Sequence, residues 1–202
     1  MQPFTTATGV AAALPAANIN TDVIMPKQFL KGIDRSGLGE GAFHDLRFDS
    51  AGRPRDDFVL NQAPWRKTCF LVVGSNFGTG SSREHAVWGL MQLGIRAIIG
   101  TSFAGIFFDN CANNGLLAIV VNKRDIGPLM ERASDPERNR FEIDLPKQVI
   151  VTKDGLTLSF DIEPARKEAL MQGLDAIAAT LRYRDEIKDF ERNHLDENPW
   201  LA

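Results

Sequence analysis

The sequence contains only two cysteines, Cys69 and Cys111, which stand far apart and outside any CxxC arrangement. Two distant thiols provide neither a disulfide framework nor a complete zinc or iron–sulfur site. A reducing, cytoplasmic environment is therefore expected. The 202 residues, 44% of them apolar, are enough to bury the core of one globular domain without such cross-links.

Long apolar runs and clusters of positive charge are also absent from the sequence. No stretch approaches the roughly 18 apolar residues that a membrane-spanning helix requires, so no membrane association is expected. The net charge is −3 and the basic residues are scattered, whereas nucleic-acid binding normally needs a basic face. The mildly apolar segment 10–14 has no basic residue before it and is followed by Pro15, which disfavours a secretory signal.

The middle of the sequence alternates buried strands with amphipathic helices. Strands are predicted at residues 68–73, 95–99 and 116–121, and helices at 81–93 and 103–113. A glycine follows each helix and can end it. Strand–helix–strand units at this spacing imply right-handed crossovers and a parallel sheet.

The pattern changes beyond Pro128, where short strands are predicted at 141–145, 148–152 and 156–160, with a hairpin signal at 153–155. Residues 32–65 show little periodicity and predict a long loop that is either functional or mobile. An apolar helical stripe follows near the C-terminus, and the charged residues on its other side are interpreted as a solvated helix face. The stripe consists of Leu170, Leu174, Ile177, Leu181, Ile187 and Phe190.

The segment 74–85 reads GSNFGTGSSREH, a strand that runs into a glycine-rich turn and then into a helix. The first amides of a helix lack intrahelical partners and carry the positive end of the helix dipole, so this position favours anionic ligands. A Walker A loop would need lysine where Ser81 stands, and a dinucleotide fingerprint would need glycine where Arg83 stands. The loop therefore suits a small carboxylate better than a nucleotide.

Purely structural interpretations of the same residues remain open at this point. Ser81 and Glu84 fit a capping box, in which the serine caps the helix and the glutamate reaches back. Arg83 can hold a carboxylate with two parallel hydrogen bonds, or it can form a surface ion pair. His85 is more often a satisfied structural histidine than a base at such a position.

Three separated motifs resemble the small subunits of isopropylmalate dehydratase, which contain the swivelling domain of the aconitase superfamily. Residues 76–86 read NFGTGSSREHA, against the pattern NFGxGSSREHA, and residues 18–31 read NINTDVIMPKQFLK. The segments 102–117 and 198–201 are also similar to that family. Asn20, Thr79 and Val87 depart from the residues usual in the family, but none of these changes removes a hydroxyl or a charge that the chemistry needs.

The resemblance implies an α/β fold, a three-layer β/β/α swivelling domain with a central, mainly parallel sheet. Residues 1–202 would form one such domain with a C-terminal helical extension. The implied reaction interconverts 2-isopropylmalate and 3-isopropylmalate by dehydration and rehydration, in leucine biosynthesis.

The matching positions imply roles for individual residues. Ser81, as an alkoxide, would abstract the carbon-bound proton, and Arg83 would stabilise that anion and hold a substrate carboxylate. Asp22 would orient Arg83 or a partner subunit, which the resemblance also implies. The remaining matching positions are assigned to substrate binding, with an apolar lining for the isopropyl group: Gly80, Ser82, Phe29, Leu30 and Lys31.

The resemblance also implies a partner, because the leaving hydroxyl must be polarised by a Lewis acid. In the family a [4Fe–4S] cluster does this, bound by cysteines of a separate large subunit, and the present chain is expected to bind no cofactor. Two alternatives stay open. One is the small subunit of a related hydratase acting on citraconate, dimethylmaleate or homoaconitate. The other is a non-catalytic module that only binds carboxylates.

Overall fold

Seven strands form a single sheet in the computed structural model, which describes residues 1–31 and 35–201. The spatial order of the strands is β4-β3-β2-β1-β5-β6-β7. The strands β1 to β4 run parallel to one another, and β5 pairs antiparallel with β1 and is followed by β6 and β7 in antiparallel order. Their bounds are β1 Thr6–Leu14, β2 Thr68–Val73, β3 Ala97–Gly100, β4 Leu117–Val120, β5 Arg140–Asp144, β6 Val149–Thr152 and β7 Thr157–Ser159.

The predicted α/β class is confirmed, and the predicted strands lie within three residues of their expected bounds. The parallel half follows the strand–helix alternation of the sequence. In the antiparallel half, Gly155 adopts a positive φ of 88° in the turn before β7, as the hairpin signal requires. The apolar side chains of β5 and β6 join one of the two cores, so this half of the sheet helps to enclose that core.

The central strand β1 was not predicted, although it pairs with both β2 and β5. Ala12 and Leu14 contribute to the core on one face of the sheet, and Ala11 and Ala13 contribute to the core on the other. Because both faces are buried, the strand lacks the alternation that marks a half-exposed strand. Alanine also has a low strand propensity, which hides the signal further.

Helices cover both faces of the sheet. The helices α4 and α5 pack on one face and α6 and α7 on the other. The helices are α1 Thr21–Ile24, α2 Leu38–Gly41, α3 His44–Arg47, α4 Glu84–Gln92, α5 Gly105–Asn114, α6 Lys123–Ala133, α7 Pro164–Gln172, α8 Ala176–Leu181 and α9 Arg184–Glu197. The helix α6 was missed because it contains Pro128, but burial of Leu129 and Ala133 stabilises it across the proline.

The prediction of an irregular loop at 32–65 holds for residues 48–58, which contain no helix or strand, but it is wrong for 38–47 and 59–65. Residues 32–34 lie outside the described residues. The segment forms α2, α3 and two 3-10 turns, Val59–Asn61 and Ala63–Trp65. Its apolar side chains are buried in the same core as α4. These elements are too short to show a periodicity of their own, so tertiary packing rather than sequence pattern defines them.

The predicted C-terminal stripe does not form one buried face. Leu170 on α7 is 2% exposed, but Ile177 is 72% exposed and Phe190 is 70% exposed. We call residues 176–201, which comprise α8, α9 and a final 3-10 turn, the C-terminal arm. Across residues 1–31 and 35–201, no helix combines the length and apolar character needed to cross a bilayer.

Candidate active site

The three motifs singled out in the sequence meet at the carboxyl ends of β1 and β2. Leu14 and Val73 are partners in the parallel ladder, so the segments that follow both strands leave the sheet side by side. The amide of Gly78 donates to the carbonyl of Ile19 at 2.8 Å. The amide of Ala104, from the third motif, donates to the carbonyl of Phe77 at 3.0 Å.

Glycine is required in the loop where other segments approach its backbone. Gly78 has a φ of 78°, and a Cβ there would lie 2.2 Å from Cγ of Phe107 at the start of α5. Gly80 has a φ of 96°, a conformation that side chains rarely adopt. The loop is therefore held close against α5 and α1, and its path does not depend on a ligand.

Thr21 fixes the loop from the side of α1. It is 1% exposed, its hydroxyl donates to the carbonyl oxygen of Ser81 at 2.9 Å, and its amide donates to the carbonyl of Thr79 at 2.8 Å. The sequence analysis quoted this residue within a motif but gave it no role. A buried threonine with both donors on one loop acts as a positioning residue for Ser81.

If Ser81 is the proton acceptor that the family resemblance implies, replacing Thr21 with valine is expected to lower kcat by about tenfold to a hundredfold, because small displacements of a reacting group slow the reaction strongly. KM should change little, since the substrate-binding side chains remain. Thr21→Ser keeps the hydroxyl and should restore most of kcat. Equal kcat values for the valine and serine variants, measured by steady-state kinetics, would contradict the positioning role.

The ion pair between Arg83 and Asp22 joins the loop to α1. Nη1 of Arg83 donates to Oδ1 of Asp22, and Nη2 lies 3.4 Å from the hydroxyl oxygen of Ser81. The side chain of Arg83 is 18% exposed and that of Asp22 is 41% exposed, so the pair lies at the edge of the surface with the guanidinium largely covered. A guanidinium has five N–H donors, and the contacts within the described residues leave donors for a substrate carboxylate.

Ser81 does not cap a helix, so the capping-box interpretation is wrong. The helix α4 begins at Glu84 rather than at Ser81, because Arg83 is extended, with φ −110° and ψ 109°. The carboxylate of Glu84 instead accepts from Nδ2 of Asn114 on α5, at 2.7 Å. No side chain of the described residues caps α4, which leaves its positive end directed toward the loop.

His85 has a packing role that agrees with its structural interpretation. Its ring lies 4.8 Å from the ring of Trp88, and Nε1 of Trp88 donates to Oδ1 of Asn114 at 2.8 Å. Asn114 therefore links two residues of α4 to α5. This link keeps the two helices that border the loop in a fixed relation.

A small pocket of about 150 Å³ lies where the loop faces the start of α5. It contains four of the predicted site residues, and Asp22 contacts it through Arg83. The start of α5 was not assigned to the site by sequence reasoning, although the third motif leads into it. The pocket is lined by Thr21, Gly78, Thr79, Gly80, Ser81, Ser82, Arg83, Ala104, Gly105, Ile106 and Phe107.

The structure does not bring Phe29, Leu30 and Lys31 into this pocket. The ring of Phe29 lies 4.9 Å from the ring of His44, and both Phe29 and Leu30 pack against the core. Lys31 is exposed. Their predicted role beside the substrate's variable side chain therefore stays a prediction.

The two cysteines do not fit a metal cluster. Cys111 is buried on α5, in the core on one face of the sheet, and Cys69 on β2 packs toward the other core. Burial raises the pKa of both thiols. Among residues 1–31 and 35–201, no three side chains of histidine, cysteine, aspartate or glutamate gather as a metal site. Two thiols on opposite faces of a sheet cannot hold a [4Fe–4S] cluster, which needs three or four.

The chain matches three family models. Residues 1–124 match the aconitase C-terminal domain, and residues 128–164 match a model described as LeuD_N. Residues 177–202 match the C-terminal domain of the 3-isopropylmalate dehydratase small subunit. The candidate active site thus lies wholly in the first match, and almost all of the C-terminal arm lies in the third.

Several known proteins are similar over the whole chain. A 3-isopropylmalate dehydratase small subunit 1 from Mannheimia succiniciproducens is 55% identical, covering 100% of this chain and 99% of that protein. A 3-isopropylmalate dehydratase small subunit from Ruegeria sp. is 49% identical, with 100% of both chains covered. A crystal structure of 3-isopropylmalate dehydratase from Methanocaldococcus jannaschii is 27% identical, with a TM-score of 0.65, covering 92% of this chain and 99% of that one.

Proposed function

Because the chain belongs to the family of 3-isopropylmalate dehydratase small subunits, we propose that it supplies the base and a carboxylate-binding arginine to this hydro-lyase. The complete enzyme interconverts 2-isopropylmalate and 3-isopropylmalate in leucine biosynthesis, in the cytoplasm. Residues 1–202 act as one swivelling domain with a C-terminal helical extension. The observation that carries the proposal is the grouping of Ser81, Arg83 and Asp22 at one exposed pocket.

Ser81 is the proton acceptor in this proposal. Its alkoxide takes a proton from the substrate carbon, the electron pair of that C–H bond forms a carbon–carbon double bond, and hydroxide leaves from the neighbouring carbon. Hydroxide then adds to the carbon that lost the proton, and Ser81 returns its proton to the carbon that lost the hydroxyl. A serine hydroxyl is a weak acid, so its anion needs the guanidinium of Arg83 and the uncapped start of α4 nearby.

Arg83 binds and orients the substrate. Asp22 holds one of its nitrogens, which fixes the plane of the guanidinium, and the remaining donors face a substrate carboxylate. Ser82 and the backbone at Gly80 border the same pocket and complete the contacts to that carboxylate. Phe29, Leu30 and Lys31 lie nearer to the isopropyl side chain, outside the pocket described here.

A large subunit completes the site. A [4Fe–4S] cluster held by that partner supplies the Lewis acid that polarises the leaving hydroxyl, since the cysteines of this chain cannot hold one. The pocket is open, because Ser81 and Ser82 are both exposed, and a partner that covers it would exclude water from the reaction. The chain alone is therefore expected to be inactive.

The test is anaerobic affinity purification of the tagged chain from its own cells, followed by an assay with 2-isopropylmalate. A stoichiometric partner that contains iron, and turnover of 2-isopropylmalate by the complex, are expected. Faster turnover of citraconate, dimethylmaleate or homoaconitate would instead assign the chain to one of those related hydratases. A chain that stayed alone and inert, even with a purified large subunit supplied, would favour the carboxylate-binding module.

A further inference from the structure

The C-terminal arm exposes an unusual amount of apolar surface. Trp200 is 75% exposed, Ile177 is 72% exposed and Phe190 is 70% exposed, whereas large apolar side chains of this kind are normally buried. Neither α8 nor α9 contains a buried residue. The exposed large apolar residues of the arm are Ile177, Leu181, Tyr183, Ile187, Phe190, Trp200 and Leu201.

The helix α9 presents this surface as one face. Tyr183, Ile187 and Phe190 are spaced by four and three residues and so lie on one side of a helix, while Asp185 and Arg192 lie on the opposite side. A helix of 14 residues is only marginally stable in water without packing of its apolar face. The face therefore requires a covering surface that this chain does not provide within its described residues.

The family matches indicate that a partner subunit covers the apolar face of the C-terminal arm. The match to the aconitase C-terminal domain ends at residue 124, and the arm corresponds to a separate model named for the small subunit. A C-terminal domain within a longer chain is held to its neighbours by the covalent linker. A separate subunit has no such linker, so it needs additional interface area to stay bound.

The position of the C-terminal arm agrees with a partner subunit as the covering surface. The helix α8 begins beside the C-terminal end of α5, where Asn113, Ala176 and Ala179 border a common groove. The other end of α5 lines the candidate active site, through Ile106 and Phe107. Ten helical residues span about 15 Å, so the arm starts within reach of any partner that covers the site.

We propose that the apolar face of the C-terminal arm docks onto the large subunit and holds the two chains together. The proposal rests on the proposed function, which requires a large subunit over the candidate active site. It adds that affinity for that subunit resides largely in the arm, which begins about 15 Å, the length of α5, from the pocket. Catalysis and assembly are then separable by mutation.

The test compares two double variants of the full chain for binding to the purified large subunit. Ile187→Ser/Phe190→Ser removes the apolar face, and Asp185→Ser/Arg192→Ser is the control on the opposite face, with the same number of changes and the same net charge. We expect the first to weaken Kd on the order of a hundredfold, because large buried side chains dominate such interfaces. The control should change Kd by less than about threefold.

Activity and folding give further readouts. At saturating large subunit, the Ile187→Ser/Phe190→Ser chain should reach the parental kcat, since no pocket residue has changed. Its thermal midpoint without partner should match the parent, because both side chains are exposed. A loss of kcat that saturation cannot restore would contradict a docking role for the arm.

The outcomes also separate this inference from the proposed function. If the parental chain binds the large subunit and both double variants bind equally well, the arm is not the docking element and the inference is wrong. If the apolar double variant abolishes a dimer of the parental chain in analytical ultracentrifugation, the covering surface is a second copy and the inference is again wrong. If the parental chain does not bind the large subunit at all, the proposed function fails first.

Discussion

Replacing Ser81 with alanine is expected to lower kcat of the assembled enzyme by about a thousandfold, the range typical of a lost general base. In the proposed mechanism the substitution removes the oxygen that accepts the substrate proton. The backbone of the loop stays fixed, since Thr21 bonds the carbonyl and not the side chain of Ser81. Kd for the large subunit should be unchanged. Single-turnover kinetics with a substrate deuterated at the transferred position would show whether proton abstraction is the affected step.

Two matched serine variants serve as controls for this result. Ser159→Ala removes an exposed hydroxyl on β7, remote from the pocket, and should leave kcat and KM unchanged. Ser82→Ala removes a hydroxyl that borders the pocket and should raise KM more than it lowers kcat. Retained turnover in Ser81→Ala, with assembly verified, would refute the assignment of the base.

Replacing Arg83 with lysine is expected to lower kcat/KM by about a hundredfold, although the positive charge is kept. Lysine presents a single charged centre and cannot contact Asp22, Ser81 and a substrate carboxylate from one rigid plane. We expect kcat to fall and KM to rise, because in the proposed mechanism the same group binds substrate and stabilises the Ser81 anion. Steady-state kinetics of the complex at saturating large subunit provides the measurement.

The contribution of Asp22 is separable by a double-mutant cycle. Asp22→Asn leaves Arg83 in place but removes the charge that fixes the guanidinium, so a smaller loss, about tenfold in kcat/KM, is expected. Because the two side chains are in contact, their effects should be non-additive by about 1 kcal/mol or more. Additive losses would mean that Asp22 acts independently of Arg83.

The sequence predicted the parallel half of the sheet and the position of the glycine-rich turn for a common reason. Continuous apolar runs such as 68–73 are local signals, and a glycine-rich turn between a strand and a helix fixes the backbone locally as well. The roles of the loop residues Gly80 to Arg83 came instead from the resemblance to a known family, and they stay a prediction. The sequence could not show that Ser81 lies outside α4, because the extended conformation of Arg83 depends on its bond to Asp22 of α1.

The features that were missed depend on contacts between distant parts of the chain. The role of Thr21 follows from a hydrogen bond that spans 60 positions, and no local pattern distinguishes it from Asn20. The buried apolar side chains of residues 38–47 and 59–65 join the same core as α4, a contact that the irregular sequence of the segment does not reveal. The apolar stripe of the C-terminus was recognised, but periodicity cannot tell whether such a stripe faces its own core or another molecule.

The central place of β1 also has a consequence for how the protein is made. The strand β1 leaves the ribosome before its two partners β2 and β5, and β5 starts only at residue 140. Since synthesis adds about 5 to 20 residues per second, the alanine-rich strand waits roughly 6 to 25 seconds for its second neighbour. During that interval one edge of β1 is open to pairing with other chains. The pairing of β1 with β2 and β5 joins segments far apart in the sequence, and such long-range strand pairing is intrinsically slow.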